Sequence, residues 1–565
     1  MAPGSVRGRP WWPPLALLLL GLALYLPAVW HLPLIRGEAM YALIPREMWA
    51  SGDWLTPTLN GARYLDKPPL LYWLNLGAYT LLGPSDLAAR LPTLGLALAE
   101  VWFTYLIGRR LLGPQAAWLG GFVLLTSVGF FVLHLQILTD HLVSLGLTAA
   151  VYVMVRREDA PDWRGALCFQ GALAVGFMGK GFIGVAFPLL ILAGYAWLRG
   201  SRALLRLALD PRGWLLFLLL TVPWFAAMEW AHPGFLRHQI INEQLLRFFG
   251  RRFPPDIIPF PLGQFWLFVF IWLLPWGVLL PEALYRFFRA PGGPDTPLPR
   301  ARSLLVLWPA VVLGFFSLSQ SRIEYYSLPA LPALALITGW RLTQALEGGR
   351  DHWRVWPLLV MGILGLGTYL VLPTLEEIFV ANRREFAGMT GILGPVARQV
   401  TLAVPLVALG GAAAAWRRPL LAAAGFGALA LLLLFFTWKA YAVLSPLLSD
   451  KIPGDFLARQ ARAGDVVVME AIEEFEYGAS LAYYAGRRLL MVVRRGLPRF
   501  PYHVSPEENY LISPEQLREL WLGPSRVFLL VDQAIIPESY VLPEQLVLEI
   551  PGKRLFCNRS RPPVP

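Results

Sequence analysis

Residues 165–198 read GALCFQGALAVGFMGKGFIGVAFPLLILAGYAWL, two apolar runs joined by Gly179-Lys180-Gly181. A helix needs roughly 20 apolar residues to cross the hydrocarbon of a bilayer, and each run approaches that length. A lysine between two such runs either snorkels to the lipid headgroups or belongs to a site. The stretch therefore predicts a helical membrane protein, and both interpretations of Lys180 stay open.

The composition of the whole chain agrees with that prediction. The chain has 565 residues, of which 56% are hydrophobic and 15% are charged, against about 45–50% and about 25% in soluble proteins. Its thirteen apolar stretches have the approximate bounds 15–34, 88–108, 115–137, 141–155, 165–179, 182–198, 213–230, 262–282, 303–319, 327–344, 355–373, 397–415 and 419–438. The predicted fold class is mostly α, a polytopic membrane protein with about thirteen transmembrane helices.

Arginine collects in alternate short loops between these stretches, and this pattern predicts the orientation. The basic positions are Arg7 and Arg9, Arg109-Arg110, Arg156-Arg157, Arg199 to Arg212, Arg286 to Arg302, Arg350 to Arg354 and Arg417-Arg418. Cytoplasmic loops carry such an excess of Lys and Arg. The loops 36–87 and 231–261 are then extracytoplasmic. The formal charge of +12 follows from orientation, so no nucleic-acid partner is expected.

The chain divides into residues 1–438, a transmembrane domain, and residues 439–565, a small soluble α/β domain on the extracytoplasmic side. Residues 465–469, 527–531 and 546–550 have the apolar, β-branched character of strands, and 477–485 has that of a helix. No nucleotide-binding glycine motif follows any of these strands. We expect no disulfide, because Cys168 lies in an apolar run and Cys557 in the tail.

The extracytoplasmic loop 36–87 is too polar to cross a membrane. Residues 41–49 have apolar side chains at helical spacing, Ser51-Gly52-Asp53 breaks the pattern, and residues 68–82 form a second amphipathic stretch. Helices of this kind lie in the membrane interface with one face in lipid. An ordered loop of this length is also where function is expected.

Charged and tyrosine side chains fall on the predicted extracytoplasmic side at six places along the chain. They are Glu38, Asp66-Lys67, Asp140, Lys180, Glu243 with Arg247, and Arg322 with Tyr325-Tyr326. Cations that converge on one point stabilise a leaving phosphate as its negative charge develops. A carboxylate beside them takes the proton of an incoming hydroxyl. The set therefore suits a reaction that expels a phosphate.

Each of these residues also has a structural interpretation. Asp140 could cap a helix N-terminus, Glu38 could pair with Arg36, and Trp73 has the position of an aromatic-belt residue. The histidines His141, His232 and His238 lack the i, i+4 spacing of a strong metal motif.

The order of the motifs resembles a known family. Gly37-Glu38-Ala39-Met40-Tyr41, Ser51-Gly52-Asp53-Trp54, Asp66-Lys67-Pro68-Pro69, Thr139-Asp140, Gly179-Lys180-Gly181, Glu243, Arg247-Phe248 and Ser321-Arg322 through Pro329 are similar to the aminoarabinose (lipid A) transferases and the protein O-mannosyltransferases. The resemblance implies a glycosyltransferase of GT-C fold in the bacterial cytoplasmic membrane. Such an enzyme moves a sugar, with inversion, from a polyprenyl phosphate to a glycolipid or protein acceptor on the outer face.

The resemblance also implies roles for individual residues. Glu38 and Asp140 are the expected catalytic carboxylates, and Asp66 and Glu243 are expected ligands of a divalent metal ion. The substrate-binding residues it implies are Lys67, Lys180 and Arg322 on the phosphate, with Tyr326, Tyr325, Tyr64 and Arg247 beside them.

Two departures from the family pattern bear on these roles. Gly37 stands where the family usually has the favoured catalytic Asp, which leaves Glu38 or Asp140 as the base. Gln244 stands where the family has a His that can bind metal, so an all-oxygen ligand set would favour a harder cation or none. Two further hypotheses stay open: a transporter or flippase for a lipid-linked sugar, and a catalytically impaired relative that binds such a lipid.

Overall fold

The computed structural model describes most of the chain. The described residues are 12–253, 260–291, 298–347, 355–382, 387–415, 419–470, 478–493, 510–532, 535 and 538–559. Arg7, Arg9, Arg350, Arg354, Arg417 and Arg418, and part of the loop 231–261, lie outside them, as does the side chain of Arg36.

Helices dominate the described residues. The α-helices are α1 (Trp12–His31), α2 (Arg36–Ser51), α3 (Leu70–Leu82), α4 (Asp86–Leu111), α5 (Pro114–Leu125), α6 (Val128–His134), α7 (Asp140–Arg157), α8 (Trp163–Lys180), α9 (Ile183–Arg199), α10 (Arg206–Leu209), α11 (Pro211–Ala231), α12 (Phe235–Arg237), α13 (Leu262–Trp272), α14 (Leu280–Arg289), α15 (Leu298–Leu318), α16 (Leu331–Glu347), α17 (Trp356–Asn382), α18 (Ala387–Ala415), α19 (Pro419–Leu448), α20 (Lys451–Gln460), α21 (Gly478–Ala485) and α22 (Pro514–Leu522). Short 3₁₀ turns occupy Arg202–Leu205, Trp276–Leu279, Glu324–Ala330 and Pro543–Gln545, and a π-helix occupies His238–Leu246.

Each of the thirteen predicted apolar stretches lies on a helix or a bent pair of helices. Among the described residues, seven helices are long and apolar enough to cross a membrane, or nine if each of two bent pairs counts as one span. The bent pairs are α5 with α6, at 58°, and α13 with α14, at 108°. The other four stretches are shorter or more polar helices, so the thirteen-span topology stays a prediction.

Side chains on the outside of the bundle are apolar, as lipid contact requires. On α11, Leu218 is 48% exposed and Leu219 is 63% exposed. A patch of this kind on a water-soluble protein would mark an interface. On a helix that satisfies its own backbone hydrogen bonds, it suits a surface in contact with acyl chains.

The first loop folds into the two predicted amphipathic helices, α2 and α3. Helix α2 ends at Ser51 because Gly52 adopts the left-handed conformation with φ of 73°, which an L side chain rarely tolerates. Between the helices, a two-stranded hairpin pairs β1 (Thr58–Leu59) with β2 (Ala62–Arg63). The two helices predicted for this loop are confirmed, and its position in the membrane interface stays a prediction.

The C-terminal residues form a six-stranded sheet in the order β5-β4-β3-β6-β8-β7. Its strands are β3 (Val466–Glu470), β4 (Leu490–Val492), β5 (Leu511–Ile512), β6 (Val527–Asp532), β7 (Leu546–Ile550) and β8 (Lys553–Cys557). Strands β3 to β6 are parallel, and β8 runs antiparallel to both β6 and β7. The three predicted strands and the helix α21 are confirmed; β4, β5 and β8 were not predicted. Cys168 and Cys557 are free.

Alternate side chains of the central strands pack on opposite faces of this sheet. Val467 and Met469 join the cluster that contains the first-loop helices, whereas Val468 joins the cluster under α22. This alternation follows from the two-residue period of a strand. One face of the domain is therefore buried against the first loop.

The last long helix, α19, continues to Leu448, ten residues beyond the predicted domain boundary at 438. The extension brings Tyr441 to the first loop, where its hydroxyl donates to Glu38 Oε1 at 2.9 Å. Polar contacts also fix the C-terminal domain to this loop, since the Leu34 N–H donates to the Tyr484 hydroxyl, which itself donates to Asp86.

Candidate active site

Helices α7 and α8 run antiparallel and bring Asp140 to Lys180. Asp140 is the first residue of α7 and Lys180 is the last residue of α8, so each charge lies at the helix end whose dipole favours it. The Lys180 ammonium donates to both oxygens of Asp140, at 2.7 and 2.8 Å. The structure therefore pairs two residues that are 40 positions apart.

Glycines permit this close packing. A Cβ on Gly146 would lie 2.7 Å from the Ala172 carbonyl oxygen of α8, which leaves no room for a side chain. Gly181, directly after Lys180, has φ of 82°, and a Cβ there would meet the Gln244 side chain at 2.5 Å. Side chains at either position would move Lys180 away from Asp140.

Lys180 points into the protein and not to the lipid headgroups. Its side chain is 12% exposed, and its ammonium lies 4.1 Å from the centroid of the Tyr326 ring and 5.8 Å from that of Tyr325. Desolvated cation–π contacts of this kind are attractive by about 2 kcal/mol. The snorkelling interpretation is wrong, and so is the helix-cap interpretation of Asp140, whose carboxylate is bound to the lysine.

A second group of charges joins the first loop to the second. In this loop cluster, Asp66 and Lys67 of the first loop meet His238, Glu243 and Arg252 of the second. Lys67 Nζ lies 3.1 Å from Glu243 Oε2. The guanidinium of Arg252 bridges the two carboxylates, with Nη2 2.6 Å from Asp66 Oδ2 and Nε 2.5 Å from Glu243 Oε1.

The π-helix at His238–Leu246 is what lets one segment supply two members of the loop cluster. His238 and Glu243 are five residues apart, and in an α-helix of 3.6 residues per turn they would point in directions about 140° apart. A π-helix bonds i to i+5 and turns more slowly. Both side chains therefore reach Asp66, with His238 Nε2 2.8 Å from Asp66 Oδ1.

Burial and charge shift the pKa values in the loop cluster. Burial alone would raise the pKa of Asp66, but the hydrogen bond from His238 and the charge of Arg252 hold that pKa well below its usual range. Burial would also raise the pKa of Glu243, and the surrounding cations lower it instead. Burial lowers the pKa of Lys67, and the neighbouring Glu243 carboxylate offsets this only in part.

A cavity of about 70 Å³ lies where Lys67 and Lys180 approach each other. We call it the cationic cavity. The polar residues that line it are Lys67, Lys180, Glu243, Gln244, Arg247, Ser319, Ser321 and Tyr326, and the apolar residues are Ile183, Phe248, Phe315 and Phe316. Arg247 Nη2 also lies 2.9 Å from Glu243 Oε2. Three cations and one carboxylate on an otherwise aromatic wall suit an anion with an apolar tail.

Glu38 is not among the described residues that line the cationic cavity. Its Oε2 accepts from Arg90 Nε at 3.0 Å, and its Oε1 accepts from the Ile35 N–H, from Arg90 and from the Tyr441 hydroxyl. Glu38 and Arg90 are both 1% exposed. The partner of this carboxylate is thus Arg90 of α4, 52 residues away, and the contacts tie α2 to two long helices.

Arg322 and Tyr64 are also not among the lining residues that the structure describes. The Arg322 guanidinium donates to the carbonyls of Phe260, Phe316 and Ser317, at 3.1 to 3.4 Å. A cation in this position satisfies carbonyls at the end of α15. Tyr64 packs against the buried cluster of the first loop.

Sequence reasoning assigned no role to Arg252, His238 or the aromatic wall, and it treated Gln244 as a lost metal ligand. The Gln244 side chain instead accepts from the Phe182 N–H at 3.2 Å and so fixes the turn between α8 and α9. An imidazole is present after all, on His238, six residues earlier. The one available signal was the resemblance, which placed Asp66 and Glu243 at one site, where two carboxylates need a cation between them.

Comparison with known proteins finds relatives of the kind that the sequence motifs resemble. Residues 66–226 match the family model of the dolichyl-phosphate-mannose-protein mannosyltransferases. An undecaprenyl phosphate-alpha-4-amino-4-deoxy-L-arabinose arabinosyl transferase of Pseudomonas fluorescens is 29% identical over 66% of this chain and 67% of its own length. The corresponding transferase of Aeromonas salmonicida is 30% identical over 63% and 65%. The chain thus spans about two thirds of the length of these curated relatives.

Solved structures extend the fold similarity to nearly the whole chain. ArnT from Cupriavidus metallidurans bound to undecaprenyl phosphate superposes with a TM-score of 0.77 at 22% identity, covering 98% of this chain and 99% of that one. Its apo form gives a TM-score of 0.73 at 21% identity, with coverage of 96% and 97%. The chain thus has the fold of ArnT, and its sequence is similar to those of the aminoarabinose transferases and the protein mannosyltransferases.

Proposed function

We propose that the protein transfers a sugar from a polyprenyl phosphate to an acceptor on the outer face of the bacterial cytoplasmic membrane. The observation that carries this proposal is the cationic cavity, where Lys67, Lys180 and Arg247 face one small space beside Phe248 and Phe315. The names of the relatives support undecaprenyl phosphate as the lipid and 4-amino-4-deoxy-L-arabinose as the sugar. The acceptor that fits this assignment is a glycolipid of the lipid A type, with a protein hydroxyl as the alternative.

The proposed reaction is a single displacement. An acceptor oxygen attacks the anomeric carbon from the face opposite the phosphate, and the bond between that carbon and the phosphate oxygen breaks. The bonding electrons go to the phosphate, which leaves as polyprenyl phosphate, and the configuration inverts. Lys67, Lys180 and Arg247 stabilise the growing negative charge; preorganised donors of this kind are worth about 10²–10³ in rate each.

The proton of the acceptor hydroxyl passes to a carboxylate, and Asp140 is the better placed of the two expected bases. Asp140 contacts Lys180, a lining residue of the cavity, through both of its oxygens. When a phosphate draws Lys180 toward itself, a carboxylate oxygen becomes available to the incoming hydroxyl. Glu38 would first have to give up the bond to Arg90, which is buried with it.

The divalent metal expected from the family does not fit the loop cluster as it stands. One oxygen or nitrogen from each of Asp66, His238 and Glu243 lies within 4.8 Å of the others, which is compact enough for an ion. However, Arg252 occupies the position between the two carboxylates, and Lys67 and Arg247 also bond Glu243. Three protein cations already balance two carboxylates, so a dication would add unbalanced charge.

Replacement of the cavity lysines tests the proposal. Lys180→Ala and Lys67→Ala should each lower kcat/KM for a polyprenyl-phosphate sugar by about 10²–10³, while Lys439→Ala, which removes a lysine that contacts Gln399 outside the cavity, should not. Purified protein in nanodiscs and mass spectrometry of the glycosylated acceptor provide the measurement. Normal turnover by either cavity variant would contradict the phosphate assignment.

Wild-type protein that binds the donor without turnover would favour the impaired relative. Donor movement between leaflets without transfer would favour the flippase.

A further inference from the structure

A second positively charged space lies between the first loop and the C-terminal domain. It is a cleft of about 450 Å³, and one wall is α2 with the β1–β2 hairpin, while the other is the end of α21 and the residues after it. The charged residues that line it, in the part of the chain that the structure describes, are Arg46, Glu47, Arg487 and Arg488. We call it the arginine cleft. Its volume is within the range of ligand sites, about 300–1,000 Å³.

Arg46 is available to a ligand. Its guanidinium lies over the ring of Tyr483, 5.0 Å from the centroid, and among the described residues it has no hydrogen-bond acceptor and no carboxylate partner. The ring holds the flat face of the guanidinium, which leaves its N–H groups in the plane free to donate. This arginine is half-buried and belongs to no ion pair that the described part of the chain contains.

Among the described residues that line the cleft, the one carboxylate is that of Glu47, which bonds to its own wall and also interacts with the charge of Arg488. Glu47 Oε2 accepts from the Thr58 hydroxyl at 2.7 Å and from the Gly61 N–H at 3.1 Å. These bonds hold the hairpin against α2. The described lining residues comprise three arginines and one carboxylate, so this part of the cleft has a net positive charge.

The opposite wall presents two consecutive arginines. The Arg487 guanidinium donates to the carbonyls of Ala461 and Arg462 at 3.0 and 3.1 Å, and its buried Nε has no hydrogen-bond partner among the described residues. Arg488 extends across the hairpin, 3.2 Å from where a Cβ on Gly61 would lie. Gly61, with φ of 76°, leaves the room that this arginine uses.

The two walls are locked together. Asn60 Nδ2 donates to the Leu489 carbonyl and the Leu489 N–H donates to Asn60 Oδ1, both at 2.9 Å. This reciprocal pair joins the hairpin tip directly to the residue after Arg488. The arginines are therefore held in a rigid frame, as a site for a defined ligand requires.

The location of the cleft favours a ligand that is attached to a lipid. Its lining includes Ala50 and Ser51 at the end of α2. Trp49 of this helix is 44% exposed, and Trp54, three residues after the helix ends, is 50% exposed. Exposed tryptophans at the end of an amphipathic helix lie at the level of the headgroups. Arginine is the residue best suited to bind phosphate oxygens two at a time.

We propose that the arginine cleft binds the phosphate group of an anionic glycolipid headgroup. It would thereby hold the acceptor while the cationic cavity holds the donor, and this inference rests on the proposed function. It also gives the C-terminal domain a role, because Arg487 and Arg488 belong to that domain and Arg46 does not. Neither wall alone would provide the site.

Binding of lipid A to the full-length protein in detergent tests the inference without any turnover. The variants are Arg46→Gln and Arg488→Gln, and the matched control is Arg518→Gln, which removes an exposed arginine of α22 outside the cleft. Each cleft variant should weaken lipid A binding by roughly tenfold, the typical effect of one charge-assisted contact, and the control should not. Dephosphorylated lipid A should bind every protein as weakly as the cleft variants bind lipid A.

Three results would overturn the inference. Equal affinity of lipid A for the wild type and both cleft variants would exclude the cleft as its site. Equal affinity for lipid A and its dephosphorylated form would exclude the phosphate. Inorganic phosphate that binds as tightly as lipid A would assign the cleft to a soluble anion. Arg46→Lys distinguishes a loss of charge from a loss of folding. If Arg46→Gln binds lipid A weakly because it lacks the positive charge, Arg46→Lys should retain part of the affinity for lipid A.

The same proteins distinguish this inference from the proposed function. Lys180→Ala should lower transfer by about 10²–10³ and leave lipid A binding intact. If Lys180→Ala transferred sugar at the normal rate, the proposed reaction site would be wrong while the cleft could still bind. In the kinetic assay, Arg46→Gln should raise the KM for the acceptor and leave the KM for the donor as it was.

Discussion

The cationic cavity and the arginine cleft both gather positive charge, and they hold it in different ways. In the cavity, Lys180 is bound to Asp140 and Lys67 to Glu243, with little exposed surface on any of the four. In the cleft, Arg46 lies on an aromatic ring and has no carboxylate partner among the residues that the structure describes. The cavity has about 70 Å³ of space and the cleft about 450 Å³.

The difference suggests two uses of positive charge. Cations that are paired and buried are held close to their working positions before the substrate arrives, so only a small movement is needed when charge develops during a reaction. A cation without a carboxylate partner has its N–H groups ready for an incoming anion. The first arrangement suits chemistry and the second suits recognition, so changes in the two regions should affect different measurements.

The largest expected effect comes from removing the carboxylate that holds Lys180, a lining residue of the cationic cavity. Asp140→Asn should lower kcat by about 10²–10⁴, the usual contribution of a general base, because the amide cannot take the proton of the acceptor. Transfer rates at saturating donor and acceptor, with acceptor binding as the folding control, provide the measurement.

Glu38→Gln is the matched change, and its main effect should be on stability. Arg90 would lose its buried partner, which typically costs about 3–5 kcal/mol of unfolding free energy. The melting temperature should therefore fall clearly, whereas the transfer rate of the folded variant should change little. A Glu38→Gln protein that melts at the wild-type temperature and has no transfer activity would identify Glu38, and not Asp140, as the general base.

Arg252→Ala sharpens the contrast by removing the cation that joins Asp66 to Glu243. The two buried carboxylates would then face each other, and we expect a loss of about 3–5 kcal/mol in unfolding free energy, seen as a lower melting temperature in detergent. Added zinc should raise that temperature in the variant, because no arginine would then lie between Asp66 and Glu243 and the ion could take its place beside His238.

Wild-type protein provides the counterpart of this test. Its transfer rate should be the same before and after treatment with a chelator, since Arg252 supplies the charge. A wild-type enzyme that loses activity with the chelator and regains it with zinc would contradict the metal-free interpretation of the loop cluster.

The smallest expected effect concerns pH and the paired lysine of the loop cluster. Burial lowers the pKa of Lys67, so this residue loses its proton below the usual value of about 10.4. Protonated Lys67 holds the phosphate, so the donor KM should rise several-fold as pH increases through the lowered pKa. Lys67→Arg, which stays charged, should have a donor KM that is insensitive to pH over the same interval.

Much of this organisation could be predicted from the sequence. Charged residues beside apolar runs are costly and usually mark a functional site, so the sequence predicts that Lys67 and Lys180 belong to one site. Both lysines line one cavity. The strands 466–470 and 527–532 followed from runs of β-branched and apolar residues. In each case, the local composition and the requirement to bury or pair a group predict the same structure.

The partners of individual arginines could not be predicted in this way. Arg322 follows α15, and nothing in its neighbours along the chain decides whether it faces a cavity or satisfies carbonyls, as it does. Arg252 contacts Asp66, 186 positions away in the chain, only because the two loops that carry them fold together. Glu38 and Arg90 depend on the crossing of α2 and α4, which sequence spacing does not encode.

The π-helix at His238–Leu246 has a consequence for how this segment tolerates changes in length. Deletion of one residue would let the segment form an ordinary α-helix. Insertion of one residue would shift every following residue of the segment by one position. Either event would turn Glu243 away from Asp66 while the flanking helices stayed intact. Insertions and deletions compatible with activity should therefore accumulate on both sides of this stretch and spare its nine residues.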